Sequence, residues 1–597
     1  MSPLYDRLDP VRSFCLTLLV VLATGLGAAP AHGQAALEVH AVNVEANEVV
    51  PDVTIRLENE GIGVAAERTT DARGRVEWRG LSTAGSYTVF VEENDRFYAA
   101  RSGGIELRSN ATRSVTLLLT PIAEVQLDEV VVEGNRGVAD INRVNAEVSS
   151  SLPAETLEDL PVEGRNVTQS LYRLPNVTPA TGFFPEAPNV SINGANGLYA
   201  NYLIDGMDNN EQFLGGPQFE MPTGMVKDVT VLTSTYSAEY GRTGNGIFNV
   251  TTESGSNEWT GEGFYLTRPG QPIDGEFGDE TPTQRDLSGN SVKSGFQRHQ
   301  GGFAVGGPVV RDQTFFFVNL EHTTDWKDNR LSTPGVGAET IQGQNQFTYL
   351  SGRLDHRWTD QWRSTVRLNA NRVRVERQGG GLTGGIQFAS AANTQRRDGV
   401  HAAVQTTYAD EGLVYESNLQ YSWFNWDYAN PANPNTPQVT VQNPEGTGIA
   451  VLGHPGYQFD SVENTLQLQQ KVTYQLGGHT LKAGLDVLAS DHRLAGGGNP
   501  SGNYTVRLRD GAALEAFRGL DDFGPNLMPA DLRPIEGQLS VENYTVELRP
   551  STFGRRQDLI GLYVEDQFSP VSGLTVTAGL RYDYDSLTEG GGGPEAA

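Results

Sequence analysis

Cysteine is nearly missing from this chain: Cys15 stands alone among 597 residues. A single thiol cannot close an internal disulfide, so the fold must stand without covalent staples. Cations are also scarce, with 44 Lys and Arg against 73 Asp and Glu, for a formal net charge of -29 at pH 7. A surface this acidic repels polyanions and sets nucleic acid aside as a partner. Long apolar runs are the third shortage. After the N-terminus none reaches the about 18 residues that mark a spanning helix, which excludes a polytopic helical membrane protein. A membrane β-barrel stays open, because its strands alternate and their mean hydropathy is low. Catalytic patterns are missing too. There is no phosphate-binding loop, no metal-binding helix motif and no Ser/His/Asp order, and the nine His are scattered. The expectation is a protein that is not an enzyme, with no metal and no cofactor.

What is present begins with an export signal. Arg7 and Arg12 precede the apolar run "FCLTLLVVLATGLGAA", and small residues follow in "PAHGQAA". This order of basic, apolar and small residues reads as a signal peptide over 1–35, cut near Gly33 or Ala35. Cys15 lies inside it, so the exported chain is expected to carry no thiol. Residues 36–120 then alternate apolar and polar side chains in "VTIRLEN", "RVEWRG", "YTVFVEE" and "SVTLLLT", separated by turn formers. That pattern predicts an antiparallel β-sandwich of about seven strands. The stretch "VPDVTIRLENEG…TTDARGRVEWRGLSTAGSYTVFVEENDRFY" resembles the carboxypeptidase regulatory-like domain, a transthyretin-type sandwich without peptidase chemistry.

Residues 136–257 change character. The helix-like "PAETLEDL" leads into Gly- and Asn-rich turns and then the apolar strand "DVTVLTS". Three blocks, "LPVEGRN" at 160–166, "SINGANGLYANYLIDGMDNN" at 191–210 and "VTVLTSTYSAEYGRTGNGIFNVTTESGSNEWTG" at 229–261, resemble in order and spacing the plug domain of TonB-dependent outer-membrane receptors. The family often has Arg-Gly where this chain has Asn193-Gly194, and Lys where it has Glu253. The resemblance implies an α/β plug held inside a barrel. Gly241, Gly244 and Gly246 suit a backbone packed closely against such a wall. Asp205 is expected to end a strand, with Asp208, Asn209 and Asn210 in the loop beyond it. Because plug loops of the family face the extracellular ligand, these four residues are the ligand-binding candidates; an Asx-rich turn without a ligand is the plainer alternative.

From residue 258 to 597 a third pattern sets in. "TYLSGRLDHRW" and "WRSTVRLNANRVRV" place Leu350, Leu354, Trp358, Trp362, Val366 and Leu368 on one face. Arg353, Asp355, Arg357, Arg363, Arg367 and Asn369 fall on the other. Repeated strands of this kind, with Trp and Tyr near their ends, predict an antiparallel transmembrane β-barrel in contact with outer-membrane lipid. The whole is therefore mainly β: sandwich, plug, barrel. "FAVGGPVVRDQTFFFVNLE" and "LYVEDQFSPVSGLTVTAGLRYDY" resemble barrel strands of the same receptor family, in its Oar-like branch. Eleven or twelve strand candidates follow residue 258, about half of the twenty-two that close a plugged barrel. The tail "SLTEGGGGPEAA" has no terminal aromatic strand, so the barrel is expected to be incomplete in this chain.

One short segment is left over. "LDEVVVEG" lies in the linker 121–135, between sandwich and plug, where the family carries its TonB box. The resemblance implies that Leu127, Asp128, Glu129, Val130, Val131 and Val132 bind the TonB C-terminal domain as an added strand, through main-chain hydrogen bonds. The alternative is a last strand of the sandwich, against which Pro121 argues by interrupting the run. The function implied is energy-coupled import of an extracellular ligand of unknown identity into the periplasm. The alternative is an outer-membrane adhesin or structural protein whose plug never opens.

Overall fold

The structure is a computed structural model. It describes residues 35–587 apart from 45, 47, 108–110, 123–147, 160–164, 166, 180–189, 213–214, 269–283, 286–290, 293–296, 334–336, 378–385, 411, 430–432, 522, 525, 547–551 and 572–573. The expected signal segment and the expected TonB box, 127–132, lie outside the described residues.

The first unit packs two four-stranded sheets face to face. One contains Glu48–Val49, Ala35–Asn43, Arg75–Leu81 and Ala111–Leu119; the other runs Val64–Thr69, Thr54–Asn59, Ser86–Val91, Ala100–Glu106. Alternation decides which faces meet: Ile55, Leu57 and Asn59 point inward from Thr54–Asn59 while Arg56 and Glu58 turn outward. They join Leu37, Val39, Trp78 and Tyr87 in a shared apolar core. Eight strands replace the expected seven, and one pair departs from the antiparallel expectation. Ala111–Leu119 runs parallel to Ala35–Asn43, in register from Ala35–Ala111 to Asn43–Leu119. A parallel partner requires the chain to return to its starting end, and here the opposite sheet supplies that long crossover.

The second unit is a five-stranded mixed sheet in the order Met207–Asp208, Ala200–Ile204, Gly246–Thr252, Val226–Ser234, Val148–Pro153. Short helices at Ala154–Asp159 and Val167–Ser170 pack on it. Its two central strands are buried at every residue, so they do not alternate: both faces are covered. Between Ile204 and Met207 the chain reverses through Asp205 (φ 49°) and Gly206 (φ 79°). Two successive residues at positive φ make the tight hairpin turn favoured by Asp-Gly.

Around this unit curves one antiparallel sheet of eleven strands, each paired with its neighbour in sequence along the sheet. In order they are Thr260–Arg268, Gln297–Val310, Thr314–Thr333, Gly337–Arg357, Trp362–Arg377, Asn393–Asp410, Leu413–Ala429, Tyr457–Leu476, His479–Gly498, Thr552–Val571 and Leu574–Asp585. Its burial is the reverse of a soluble protein's. On Tyr457–Leu476 the polar Glu463, Thr465, Gln467, Gln469, Lys471 and Thr473 are buried, whereas Leu466, Leu468, Val472, Tyr474 and Leu476 are exposed. Leu354, Trp358 and Leu368 are exposed in the same way, while Arg367 and Asn369 face inward, buried. An apolar outer face over a polar interior is the signature of a lipid-facing barrel wall.

Connections at one end of the sheet are short, as at 358–361 and 477–478, and at the other end they are long. The sandwich sits against the short end. Arg79 reaches Thr480 (3.2 Å), Gln475 reaches Glu77 (2.8 Å), and Arg357 donates to the Gly63 carbonyl (2.7 Å). At the long end the connections fold together instead of remaining open loops. Gln438–Gln442, Gly448–Leu452, Asn503–Leu508 and Leu539–Thr545 form a separate sheet, covered by the helix Gly511–Arg518. Asp510 caps that helix by accepting from the Ala513 amide at 2.9 Å. This outer module was not separated from the barrel in the sequence, although "DGAALEAFRG" carries both helix-end signals.

The outward face predicts a depth-dependent cost. Leu468→Arg should destabilise the barrel in lipid vesicles by about 2–4 kcal/mol, and Tyr474→Arg, near the strand end, by about 0–1 kcal/mol. Equilibrium unfolding of the two variants beside the parent checks this; equal costs would contradict the placement of this face in lipid.

Candidate functional site

A polar wall must meet a polar plug, because a buried charge without a partner is expensive. The hairpin at 200–210 meets that condition with two separate clusters. In the first, both carboxylate oxygens of Asp205 accept from Thr252, from its amide (2.9 Å) and its hydroxyl (2.8 Å). The guanidinium of Arg367, from the wall, lies 3.4 Å from the same carboxylate. Gln405, also from the wall, donates to the Asp205 carbonyl at 3.0 Å. In the second, Asp208 pairs with Arg242 at 3.0 Å, and Arg242 reaches Asp486 of the wall at 3.4 Å. The backbone of Asp208 is held on both sides: its amide donates to Gln467 (2.9 Å) and its carbonyl accepts from Gln420 (2.6 Å).

Asn209 and Asn210 face the plug itself. Asn209 brackets the backbone of Phe219, donating to its carbonyl and accepting from its amide, both at 2.9 Å. Asn210 donates to Asn201 and to Asp208, both at 2.8 Å, and accepts from the Tyr202 amide at 2.9 Å. The structure thus brings Asp208 and Asn210 together, places Asp205 in a different cluster and turns Asn209 toward Phe219. Asp205, Asp208 and Asn209 are 5%, 2% and 3% exposed. The expected open loop is a strand hairpin docked on the wall, and its tip at Asp205 lines a cavity at the short-turn end.

A third cluster was missed in the sequence as a site, although it falls within the quoted "STYSAEYGRTGNG". Glu239 lies 3.5 Å from Lys471 and 3.8 Å from Lys482, both on wall strands. Glu565, another wall residue, accepts from the Ser237 hydroxyl (2.9 Å) and the Ala238 amide (2.8 Å). Arg581 donates to the Glu239 carbonyl at 2.7 Å. Gly241 leaves room for this arginine: a Cβ would stand 2.4 Å from the Arg581 Nε and push the guanidinium aside. Burial alone would raise the Glu239 carboxyl, but the ammonium groups of Lys482 and Lys471 hold it below the usual range. The signal available in sequence was a charged residue on the inward face of several strands, which alternation alone leaves without a partner. Among the described residues no group of three His, Cys, Asp or Glu could hold a metal ion.

Residues 251–336 and 329–593, more than half of the chain, match the family described as an outer membrane beta barrel domain. The chain belongs to that family. Its barrel is therefore an outer-membrane barrel of the Gram-negative type, which accounts for the inverted burial. Residues 140–247 match the TonB-dependent receptor plug domain. The chain is 24% identical to the TonB-dependent transporter Oar of Myxococcus xanthus, over 96% of this chain and 60% of that protein. It also resembles the solved outer-membrane transporter YddB of Escherichia coli in fold, with a TM-score of 0.53 at 16% identity. That match covers 73% of this chain and 56% of the other. The chain thus spans about 60% of the length of the curated relative it matches. The fold class expected from the sequence, mainly β with plug and barrel, agrees with these matches.

A depressed carboxylate gives stability that is complete above its unfolded pKa and is lost as pH falls through its lower folded value. Docking of the 236–242 turn on the family's wall should therefore weaken on acidification below the ordinary carboxylate range. Glu239→Gln takes one counter-charge from the buried Lys471 and from the half-buried Lys482, which keeps Glu565 at 3.8 Å, and should cost about 1–3 kcal/mol. Proteolytic release of the plug against pH, for parent and variant, checks both; a variant as stable as the parent at neutral pH would contradict this role.

Proposed function

We propose that this chain carries the plug and wall of an outer-membrane receptor that captures an extracellular ligand and passes it to the periplasm, driven by TonB. The observation that carries this reading is the plug: a polar domain fastened inside a membrane barrel by clustered ion pairs. The plug meets the wall through charges and hydrogen bonds, with Phe317 and Tyr349 of the wall packed against its apolar core, so drawing it off breaks mainly polar contacts that water can replace. No step of the function is covalent. Asp205 and Asp208 act first as fasteners to the wall, Asn209 and Asn210 brace the plug behind them, and a ligand meets Asp205 or Asp208 only when the hairpin leaves the wall. Toward the long-loop side the plug meets the wall at Gln212 and Gln218, both bound to Glu463 at 3.0–3.1 Å, and at Pro217, whose carbonyl accepts from Arg397 at 3.2 Å.

TonB is the partner proposed for 127–132, with Val130, Val131 and Val132 forming the added strand and Asp128 and Glu129 tuning it. Main-chain pairing of that kind tolerates a change of side chain and not the loss of an amide. A deletion strain grown on defined nutrient panels gives the ligand class, and complementation then tests the coupling. Val131→Thr should restore growth nearly as well as the parent, and Val131→Pro should fail at equal surface abundance. Restored growth by the proline variant at that abundance would overturn the energy-coupled reading; loss of surface protein instead would favour the last strand of the sandwich.

A further inference from the structure

A cavity of about 410 Å³ lies where the sandwich meets the short-turn end of the barrel. Its walls come from three units: Trp78 and Tyr87 of the sandwich, Asp205 of the plug, and Arg353, Arg363 and Gln405 of the barrel. Five arginines face it, and four have their groups engaged. Arg353 grips Asp355 at 2.9 and 3.1 Å and also donates to the Thr252 carbonyl. Arg79 pairs with Glu77 at 2.7 Å, Arg68 donates to the Glu77 carbonyl at 2.9 Å, and Arg357 holds the Gly63 carbonyl.

Arg363 differs. Its Nη2 is buried and makes no hydrogen bond, and the same is true of the Trp78 Nε1, whereas the Arg79 Nε, also without a hydrogen bond, has the Glu77 carboxylate beside it. The first two atoms can only donate. Four of the lining carboxylates spend their bonds elsewhere: Asp355 on Arg353 and the Thr365 hydroxyl, Asp205 on Thr252 and Arg367, Glu67 on Arg56, and Asp410 on the Tyr408 hydroxyl. Two unanswered donors in a chamber call for an acceptor that carries negative charge. Ile62, Leu81, Ala84, Phe315 and Val414 form an apolar patch beside polar lining that includes Ser82, Thr83, His356 and Gln361. A carboxylate with a short apolar body matches both the donors and the apolar patch, whereas inorganic phosphate has no body for that patch.

We infer that this chamber is a binding site for a small amphiphilic carboxylate, its head on Arg363 and Trp78 and its body on the apolar walls. The site stands on the periplasmic side of the plug, and binding to it is independent of whether the plug opens.

Calorimetric titration of the full chain in detergent tests this with hexanoate, hexan-1-ol and inorganic phosphate as probes. Hexanoate should saturate one site and bind at least about tenfold more tightly than the alcohol, the ratio expected when a charged hydrogen bond is lost. Arg363→Met should bring hexanoate to the level of the alcohol. Trp78→Phe, which keeps the ring and removes only the donor, should weaken hexanoate several-fold, and it decides the matter if Arg363→Met does not fold. The inference is overturned by absence of saturable hexanoate binding, by equal affinity for the alcohol, by phosphate binding as tightly as hexanoate, or by a folded Trp78→Phe indistinguishable from the parent.

Discussion

Hydrocarbon accepts no unpaired backbone group and no unshielded charge, and the rest of this structure follows from that constraint. Strands that cross lipid must present apolar side chains outward, so their polar residues turn in. The interior is then a chamber lined with Arg, Lys, Glu, Gln and Asn. A domain that fills such a chamber has to match its charges one by one. That is what the plug does: Asp205 meets Arg367, Arg242 meets Asp486, and Glu239 meets Lys471 and Lys482. Each contact is costly to break halfway, since removing one partner strands the other in a medium of low dielectric.

The same logic separates the two kinds of packing in the molecule. The sandwich is held by an apolar core that includes Leu37, Ile55 and Tyr87, and it touches the barrel through Phe315, which joins that core, and through hydrogen bonds at its rim. The plug has a small apolar core around Leu171, Ile204 and Val229, which Phe317 and Tyr349 of the wall touch, and polar fasteners outside it. Domains built in this way can shift relative to the wall while their own cores stay intact. Lys227 extends the arrangement from the plug to the sandwich, where it donates to the Thr83 carbonyl. Burial lowers the pKa of that ammonium, against the opposing pull of Glu253.

Much of this was legible in the sequence because alternation is a local property. The inward set of Arg353, Arg367 and Asn369 and the outward set of Leu354, Trp358 and Leu368 follow from a period of two, and eleven strands form the sheet where eleven or twelve were counted. The Asp205-Gly206 reversal was legible too, as a turn. Its docking was not, because nothing local says that Gln405, Gln420 and Gln467, some 200 residues or more away in sequence, close on it. The parallel strand of the sandwich and the folded module at the long-loop end were missed for the same reason. Both depend on pairings between distant segments, and short apolar runs do not name their partners.

The central claim is that the plug leaves its wall only under pull from the inner membrane. Gln420 reports on it directly, since it is buried against the Asp208 carbonyl at 2.6 Å and becomes accessible only if the hairpin moves. In living cells carrying Gln420→Cys on a Cys15→Ser background, labelling by an impermeant maleimide should proceed in energised cells and fall at least about tenfold when a protonophore collapses the proton-motive force, the factor expected for a shift of about 1.4 kcal/mol in opening. Equal labelling with and without the protonophore, at equal surface abundance, would contradict it.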